Sequence, residues 1–266
     1  MKRTKGHSCP ELSVRIGRKD IAMTQKALVW AHRGASGYLP ENTLPAFQKA
    51  ADMKADGVEL DIQLTKDDQI VVIHDEKIDR TSYDKGWVKD FTLEQLKGFD
   101  FSRTFPAYGR AQIPLMSEVL DLLKPTDLTI NIELKTGLIF YKDIEEKILK
   151  LVHDYGMEDR IIYSSFNHYS VTTIKTLDPS ARTAFLYADG FIDMPGYGAA
   201  HNVNALHPDY HNLQYPGLIE GCRAHHLDLN VWTVNDPEDI RKCAEAGVHA
   251  VITNYPDKAR EIIDAL

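Results

Sequence analysis

Seven side chains in this sequence have the types and spacing to act together: His32, Arg33, Glu59, Asp61, His74, Glu133 and Lys135. Val58-Glu59-Leu60-Asp61-Ile62-Gln63-Leu64 alternates apolar and polar with period two. That is a strand's period, so Glu59, Asp61 and Gln63 share one face and the apolar residues the other. Thr129–Lys135 repeats the pattern, with Asn131, Glu133 and Lys135 on one face and Ile130, Ile132 and Leu134 on the other. Three carboxylates converging in a partly buried mouth repel, by about 4 kcal/mol for a pair 4 Å apart at an effective dielectric of 20. They must therefore be protonated or paired with cations. Oxygen-only ligation by Glu59, Asp61 and Glu133 suits one hard divalent cation, Ca²⁺ or Mg²⁺ with Mn²⁺ also admissible, completed by water and substrate oxygens. A metal-free reading stays open, in which Arg33 and Lys135 neutralise the cluster as salt bridges. With a metal bound, the same two cations leave net positive charge aimed at an anion such as a phosphate ester.

His32 and His74 flank this cluster. Imidazoles titrate near neutrality, so one can take a proton from a nucleophile while the other gives one to a leaving oxygen. In-line displacement at phosphorus needs such a pair on opposite sides of the reacting atom, with a cation on the non-bridging oxygens.

For these residues to meet, strand ends must bring them together. Ala27–Gly34 is a short apolar strand ending in His32-Arg33-Gly34, and Asn42-Thr43 opens a helix that runs to about Lys54. The strand pair over 58–74 follows, ending in His74-Asp75. Ile78–Ile113 has no clear period, carries Gly86, Gly98, Pro106 and Gly109, and reads as an inserted small subdomain with one short helix at Thr92–Lys97. Ser117 is expected to cap a helix to Leu123. Buried strands then fall at Leu128–Lys135, Ile161–Phe166, Arg182–Tyr187, Ala205–His207, Leu229–Val234 and Ala250–Thr253. Helices alternate with them near Lys142–Tyr155, Tyr169–Leu177, Pro216–His226, Pro237–Ala246 and Asp257–Ala265, with a weaker one at Ile192–Asn202. That beat gives the fold class α/β: a parallel (β/α)8 barrel with a small insertion after the second strand pair. A doubly wound open sheet is the alternative, but no Gly-rich nucleotide fingerprint follows the first strand.

A chain of 266 residues that is 43% hydrophobic suits one such barrel, here residues 25–266. Net charge −8 argues against general nucleic-acid binding. Cys9, Cys222 and Cys243 lack CxxC spacing and read as free thiols in a reducing, cytoplasmic setting. No run approaches a membrane span. Residues 1–24 are basic without a signal-peptide core and read as a disordered extension. The oligomeric state stays open between monomer and homodimer.

His32-Arg33-Gly34, Pro40-Glu41-Asn42-Thr43, Glu59-x-Asp61, His74-Asp75, Asn131-Ile132-Glu133-x-Lys135 and Val231-Trp232-Thr233-Val234-Asn235 together resemble the glycerophosphodiester phosphodiesterases, in order from about Leu28 to the C-terminus. The resemblance implies a TIM barrel with a small insertion, a divalent cation on Glu59, Asp61 and Glu133, and His32 and His74 as the acid–base pair. It implies hydrolysis of a glycerophosphodiester to glycerol 3-phosphate and an alcohol, and, by likeness to related barrel phosphodiesterases, a cyclic phosphate with His32 as base. Arg33 and Lys135 would hold the phosphoryl oxygens. Related sequences often carry Asp where this one has Asn254, a departure expected to lie away from the metal ligands.

Other residues carry two readings each. Glu41 and Asn42, beside a helix start, are either partners of the metal site or ordinary turn residues. Trp232 and Phe166 are substrate walls or core aromatics. His225-His226 reads as surface, and Cys222 and Cys243 as helix-packing residues. Three rival functions remain. A lysophospholipase D would use the same site and need an exposed apolar groove at the barrel mouth. A non-catalytic barrel could bind glycerophosphodiesters. A Schiff-base aldolase would use Lys135, whose amine the nearby carboxylates would keep protonated.

Overall fold

The computed structural model describes residues 26–266. The expectations for the N-terminal extension and for Cys9 lie outside these residues. Eight parallel strands close into a barrel: β1 (Leu28–His32), β2 (Gly57–Leu64), β4 (Thr129–Leu134), β5 (Ile161–Ser165), β6 (Arg182–Tyr187), β7 (Ala205–Pro208), β8 (Asp228–Val231) and β9 (Ala250–Thr253). Closure comes from β1, which pairs with β2 on one side and β9 on the other. The (β/α)8 expectation holds.

Strand β3 (Ile70–Val72) is not a barrel stave. It folds back antiparallel on the end of β2, pairing Ile62 with Val72 and Leu64 with Ile70. The polar turn Thr65–Gln69 makes the reversal, with Thr65 Oγ1 accepting from the Gln69 amide at 2.9 Å. His74 therefore reaches the barrel mouth on a returning hairpin rather than at the end of a parallel strand.

Around the barrel lie α1 (Leu44–Asp52), α2 (Leu93–Gly98), α3 (Met116–Leu123), α4 (Ile144–Tyr155), α5 (His168–Leu177), α6 (Met194–Ala200), α7 (Leu218–Ala224), α8 (Pro237–Ala246) and α9 (Pro256–Asp264). Thr43 caps α1, as the sequence predicts, its side chain accepting from the Ala46 amide. Ser117 does not cap α3. The Glu118 carboxylate instead accepts the Leu115 amide at 2.7 Å, which starts the helix at Met116. The seventh predicted strand stops early, at Val231. Beyond it Trp232 keeps a single parallel bridge to Asp209, and its indole N–H donates to the His207 carbonyl at 2.8 Å.

Apolar faces of strands and helices pack into two large clusters, one over β2, β4 and β5 and the other over β6 to β9. Trp30, Ile162, Ala184, Ala205, Ala250 and Ile252 form a third cluster. Each fully buried large apolar side chain contributes about 1.5–3 kcal/mol. Cys222 and Cys243 are buried free thiols pushed up to about 12 by that burial. The irregular stretch after β3 has its own small core of Ile73, Ile78, Val88, Leu96, Phe101 and Ile113. No helix among the described residues is long and apolar enough to cross a membrane.

Candidate active site

Strand register explains why the chemical residues meet. Pairing sets His32 beside Glu59, Glu59 beside Asn131, and Asp61 beside Glu133. Because side chains alternate along each strand, these rows project to one side at the carboxyl end of the barrel. Ligand oxygens of Glu59, Asp61 and Glu133 lie within 4.8 Å of one another, and all three residues are buried. A cavity of about 300 Å³ opens above them, lined by His32, Arg33, Glu59, His74, Asn131 and Glu133, with Phe166, Leu186 and Trp232 on its far side.

The loop after β1 bends sharply to make this possible. Arg33 and Gly34 both have left-handed backbones, at φ 55° and 78°. A β-carbon on Gly34 would lie 2.6 Å from the Ala46 carbonyl carbon, so α1 can approach only a glycine. The bend lets the Arg33 amide donate to Glu59 Oε2 at 3.0 Å while its side chain reaches Glu41 at 2.8 Å and Asp61 at 3.5 Å.

Asp61 is fully buried, with Asn42 donating to Oδ2 at 2.8 Å. Burial would raise its carboxyl, but His74, Arg33, Lys135 and the Asn42 hydrogen bond together hold it below the usual range. Glu59 is pushed well above that range by burial and by the Asp61 and Glu133 charges. Burial raises Glu133 too, although Lys135 donates to it at 2.7 Å. The metal-free reading is met only in part: Arg33 and Lys135 do pair with carboxylates, yet Asp61 Oδ1 is buried without a hydrogen-bond partner among the described residues. Counting Glu41 and Asp75, five carboxylates face three lysine or arginine cations among the described residues, Arg33, Lys135 and Arg80. A hard divalent cation fits this donor set, its shortage of charge and the orphaned oxygen. Lys135 is held protonated by Glu133 and Asp61 against the opposing effect of burial, which disfavours a Schiff base.

Each histidine is fixed through Nδ1. His74 Nδ1 lies 2.6 Å from Asp75 Oδ1, and His32 Nδ1 lies 2.7 Å from Asn254 Oδ1. An amide oxygen only accepts, so His32 carries its proton on Nδ1 and leaves Nε2 bare, 3.9 Å from Glu59. Burial and then the Arg33 charge lower His32 to about 3. Asn254 is a direct partner of His32, which the sequence did not reveal.

Two further residues escaped the sequence reading of the site. The Gln63 amide faces the carbonyls of Ile73, His74 and Asp75 at 2.8–3.1 Å and so anchors the hairpin that carries His74. Arg80 grips Glu41 at 2.6 and 2.7 Å and Asp75 at 2.7 and 3.1 Å. Glu41 and Asn42 lie behind the cavity on Arg33 and Asp61, not on its wall. Phe166 and Trp232 line it and meet edge to face at 5.5 Å. His225 and His226 are exposed, as read from the sequence.

Arg80 links both halves of the site, so its loss has a defined outcome. Arg80→Met should cut kcat about tenfold by loosening Asp75 behind His74. Its side chain is 42% exposed, so the stability cost should stay below about 1 kcal/mol. Arg80→Lys should restore only part of the rate, because an ammonium cannot grip two carboxylates at once with planar forks. Steady-state kinetics beside urea unfolding would check both.

Comparison with known proteins gives a consistent answer. Residues 32–258 match the Glycerophosphoryl diester phosphodiesterase family. A glycerophosphodiester phosphodiesterase of Caldanaerobacter subterraneus is 43% identical over 233 residues, covering 87% of this chain and 96% of the relative. Among solved structures, an Oleispira antarctica phosphodiesterase in complex with the product sn-glycerol-3-phosphate has a TM-score of 0.83 at 25% identity, covering 90% of this chain and 97% of its own. A glycerophosphodiester phosphodiesterase of Thermotoga maritima has a TM-score of 0.75 at 27% identity, covering 90% and 99%. The chain belongs to the glycerophosphodiester phosphodiesterase family and is an enzyme of that class.

Proposed function

We propose that the protein hydrolyses glycerophosphodiesters to sn-glycerol 3-phosphate and an alcohol by acid–base catalysis between His32 and His74, through a cyclic phosphate. The observation that carries this reading is the different backing of the two imidazoles in one cavity. A neutral amide oxygen stands behind His32, whereas a carboxylate stands behind His74. His32 is then the proton acceptor and His74 the donor. The glycerol hydroxyl beside the phosphate attacks phosphorus and gives its proton to His32 Nε2. The phosphorus–oxygen bond to the alcohol breaks as His74 protonates the departing oxygen. Water opens the cyclic ester with the two roles reversed. Arg33 and Lys135 hold the phosphoryl oxygens as charge builds on them. Glu59, Asp61 and Glu133 would hold one divalent cation, which supplies positive charge to the non-bridging oxygens and to the attacking hydroxyl.

The test is coupled detection of glycerol 3-phosphate from glycerophosphocholine and glycerophosphoethanolamine, with EDTA and with added Ca²⁺, Mg²⁺ or Mn²⁺. Release that EDTA abolishes and one of the ions restores is expected. A substrate lacking the carbon-2 hydroxyl should not turn over, and its hydrolysis at the normal rate would replace the cyclic phosphate with direct attack by water.

A further inference from the structure

Strand register lays the side chains at the barrel mouth in rows. His32, Glu59 and Asn131 are level with one another, and so are Asp61, Glu133 and Ser164, one layer nearer the strands' carboxyl ends. Each row therefore passes from charged or catalytic groups to a neutral polar side chain. Asn131 is 1% exposed and Ser164 0%. Neither amide atom of Asn131, nor Ser164 Oγ, has a hydrogen-bond partner among the described residues. Leaving a buried amide or hydroxyl unpaired is costly. Unpaired atoms on adjacent strands, against the carboxylates, point to a polar occupant that the chain does not itself supply.

Side-chain length says what that occupant is. Asn131 is level with Glu59 but one methylene shorter, and Ser164 is level with Glu133 but ends at its β-hydroxyl. Both polar tips stop short of the carboxylate oxygens. There is room to fill the gap: Asn131 borders the cavity of about 300 Å³, and Ser164 is paired with Ala184, whose side chain is a single methyl. A water molecule there finds both donors and acceptors. Three carboxylates also leave a hard cation short of its roughly six to eight oxygens, and water makes up part of the remainder.

We infer that Asn131 and Ser164 together hold one water ligand of the divalent cation, on the barrel side of Glu59 and Glu133; the inference rests on the cation reading proposed above. The carboxamide oxygen and the hydroxyl accept the water's protons and leave its lone pair for the cation. Both are positioning residues, which strengthen cation binding without adding charge to a crowded carboxylate cluster.

Calorimetric titration of Ca²⁺, Mg²⁺ and Mn²⁺ into metal-free protein, with no substrate present, tests this. Asn131→Leu, close to isosteric, should raise the Kd of the preferred ion about tenfold, as loss of a group behind a metal ligand does. Asn131→Ser, which keeps a hydroxyl, should recover part of that affinity. Ser164→Ala should raise Kd by about threefold. Because the two side chains share one water, the double variant should bind no more weakly than Asn131→Leu alone. Without metal, Asn131→Leu should not lower Tm, since it removes a buried amide that had no partner. A purely structural Asn131 gives the opposite pattern, a lower metal-free Tm or lost fold beside an unchanged Kd, and would overturn the inference. Effects that multiply in the double variant would overturn the shared water. Wild-type binding with neither single variant moving Kd would sink the inference while leaving the cation and phosphodiesterase readings standing. Wild-type protein that binds no ion would overturn the cation reading, and release of glycerol 3-phosphate by the same protein would show that the phosphodiesterase reading survives it.

Discussion

His74→Ala should lower kcat for glycerophosphocholine by about 10²–10⁴ while leaving the fold and KM nearly intact. The side chain is 29% exposed, and Asp75 keeps its Arg80 partner when the imidazole goes. The buried Asp61 loses the His74 charge but keeps Arg33, Lys135 and Asn42, so the stability loss should stay within about 1–2 kcal/mol. The leaving group separates this residue's role from that of His32. A p-nitrophenyl diester of glycerol phosphate departs as a stable anion and needs no proton. On that substrate His74→Ala should recover most of its rate, whereas His32→Ala should stay slow with both leaving groups. The reverse pattern would exchange acid and base. Near-wild-type turnover of glycerophosphocholine by His74→Ala would remove the two-imidazole scheme altogether.

The second large effect is at the carboxylate cluster, where activity and stability should move in opposite directions. Glu59→Gln should lower the rate by roughly 10³, since a catalytic metal supplies several kcal/mol and each 1.4 kcal/mol is tenfold. The metal-free variant should nevertheless be more stable than the wild type, by about 1 kcal/mol or a few degrees in Tm. The reason is that Glu59 sits where burial and two neighbouring carboxylates oppose its charge. Asp61→Asn should act differently. Asp61 is held charged by Arg33, Lys135 and Asn42, and removing its charge leaves two buried cations less compensated. A loss of about 3 kcal/mol is expected there.

Thermal unfolding with and without cation would test both substitutions. In the wild type, metal at a hundred times its Kd should add about 2.7 kcal/mol, and Glu59→Gln should lose most of that increment. The pH dependence has the same origin. Glu59 and Glu133 have raised carboxyls, so the metal-free folded state binds more protons than the unfolded chain just above the ordinary glutamate range. Their contribution to stability is present below the unfolded value and declines as pH rises through the raised values. Glu59→Gln should flatten that decline. An unchanged slope and an intact metal increment would show that Glu59 is not a ligand.

Much of the fold and of the reacting centre was legible in the sequence, because it is written in local periods. Alternation in 58–64 put Glu59 and Asp61 on one strand face, and alternation in 129–135 put Asn131 and Glu133 on another. Once the strand–helix beat implied a parallel barrel, neighbouring strands had to bring those faces together at one end. The register of β2 against β4 then sets Asp61 beside Glu133.

What the sequence left open depends on distance across the chain. Asn254 is 222 residues from His32 and meets it only because β9 closes the barrel against β1. Arg80 lies in an aperiodic stretch where no local pattern singles it out, and its grip on Glu41, 39 residues away, exists only after the insertion docks. The sequence put His74 at the end of a strand pair over 58–74 without showing how the two strands lie. Tertiary pairing made it the tip of a returning hairpin held by Gln63. Local alternation fixes which face a residue takes, whereas partners, charge balance and cavities follow from closure of the barrel, which brings together residues far apart in the chain.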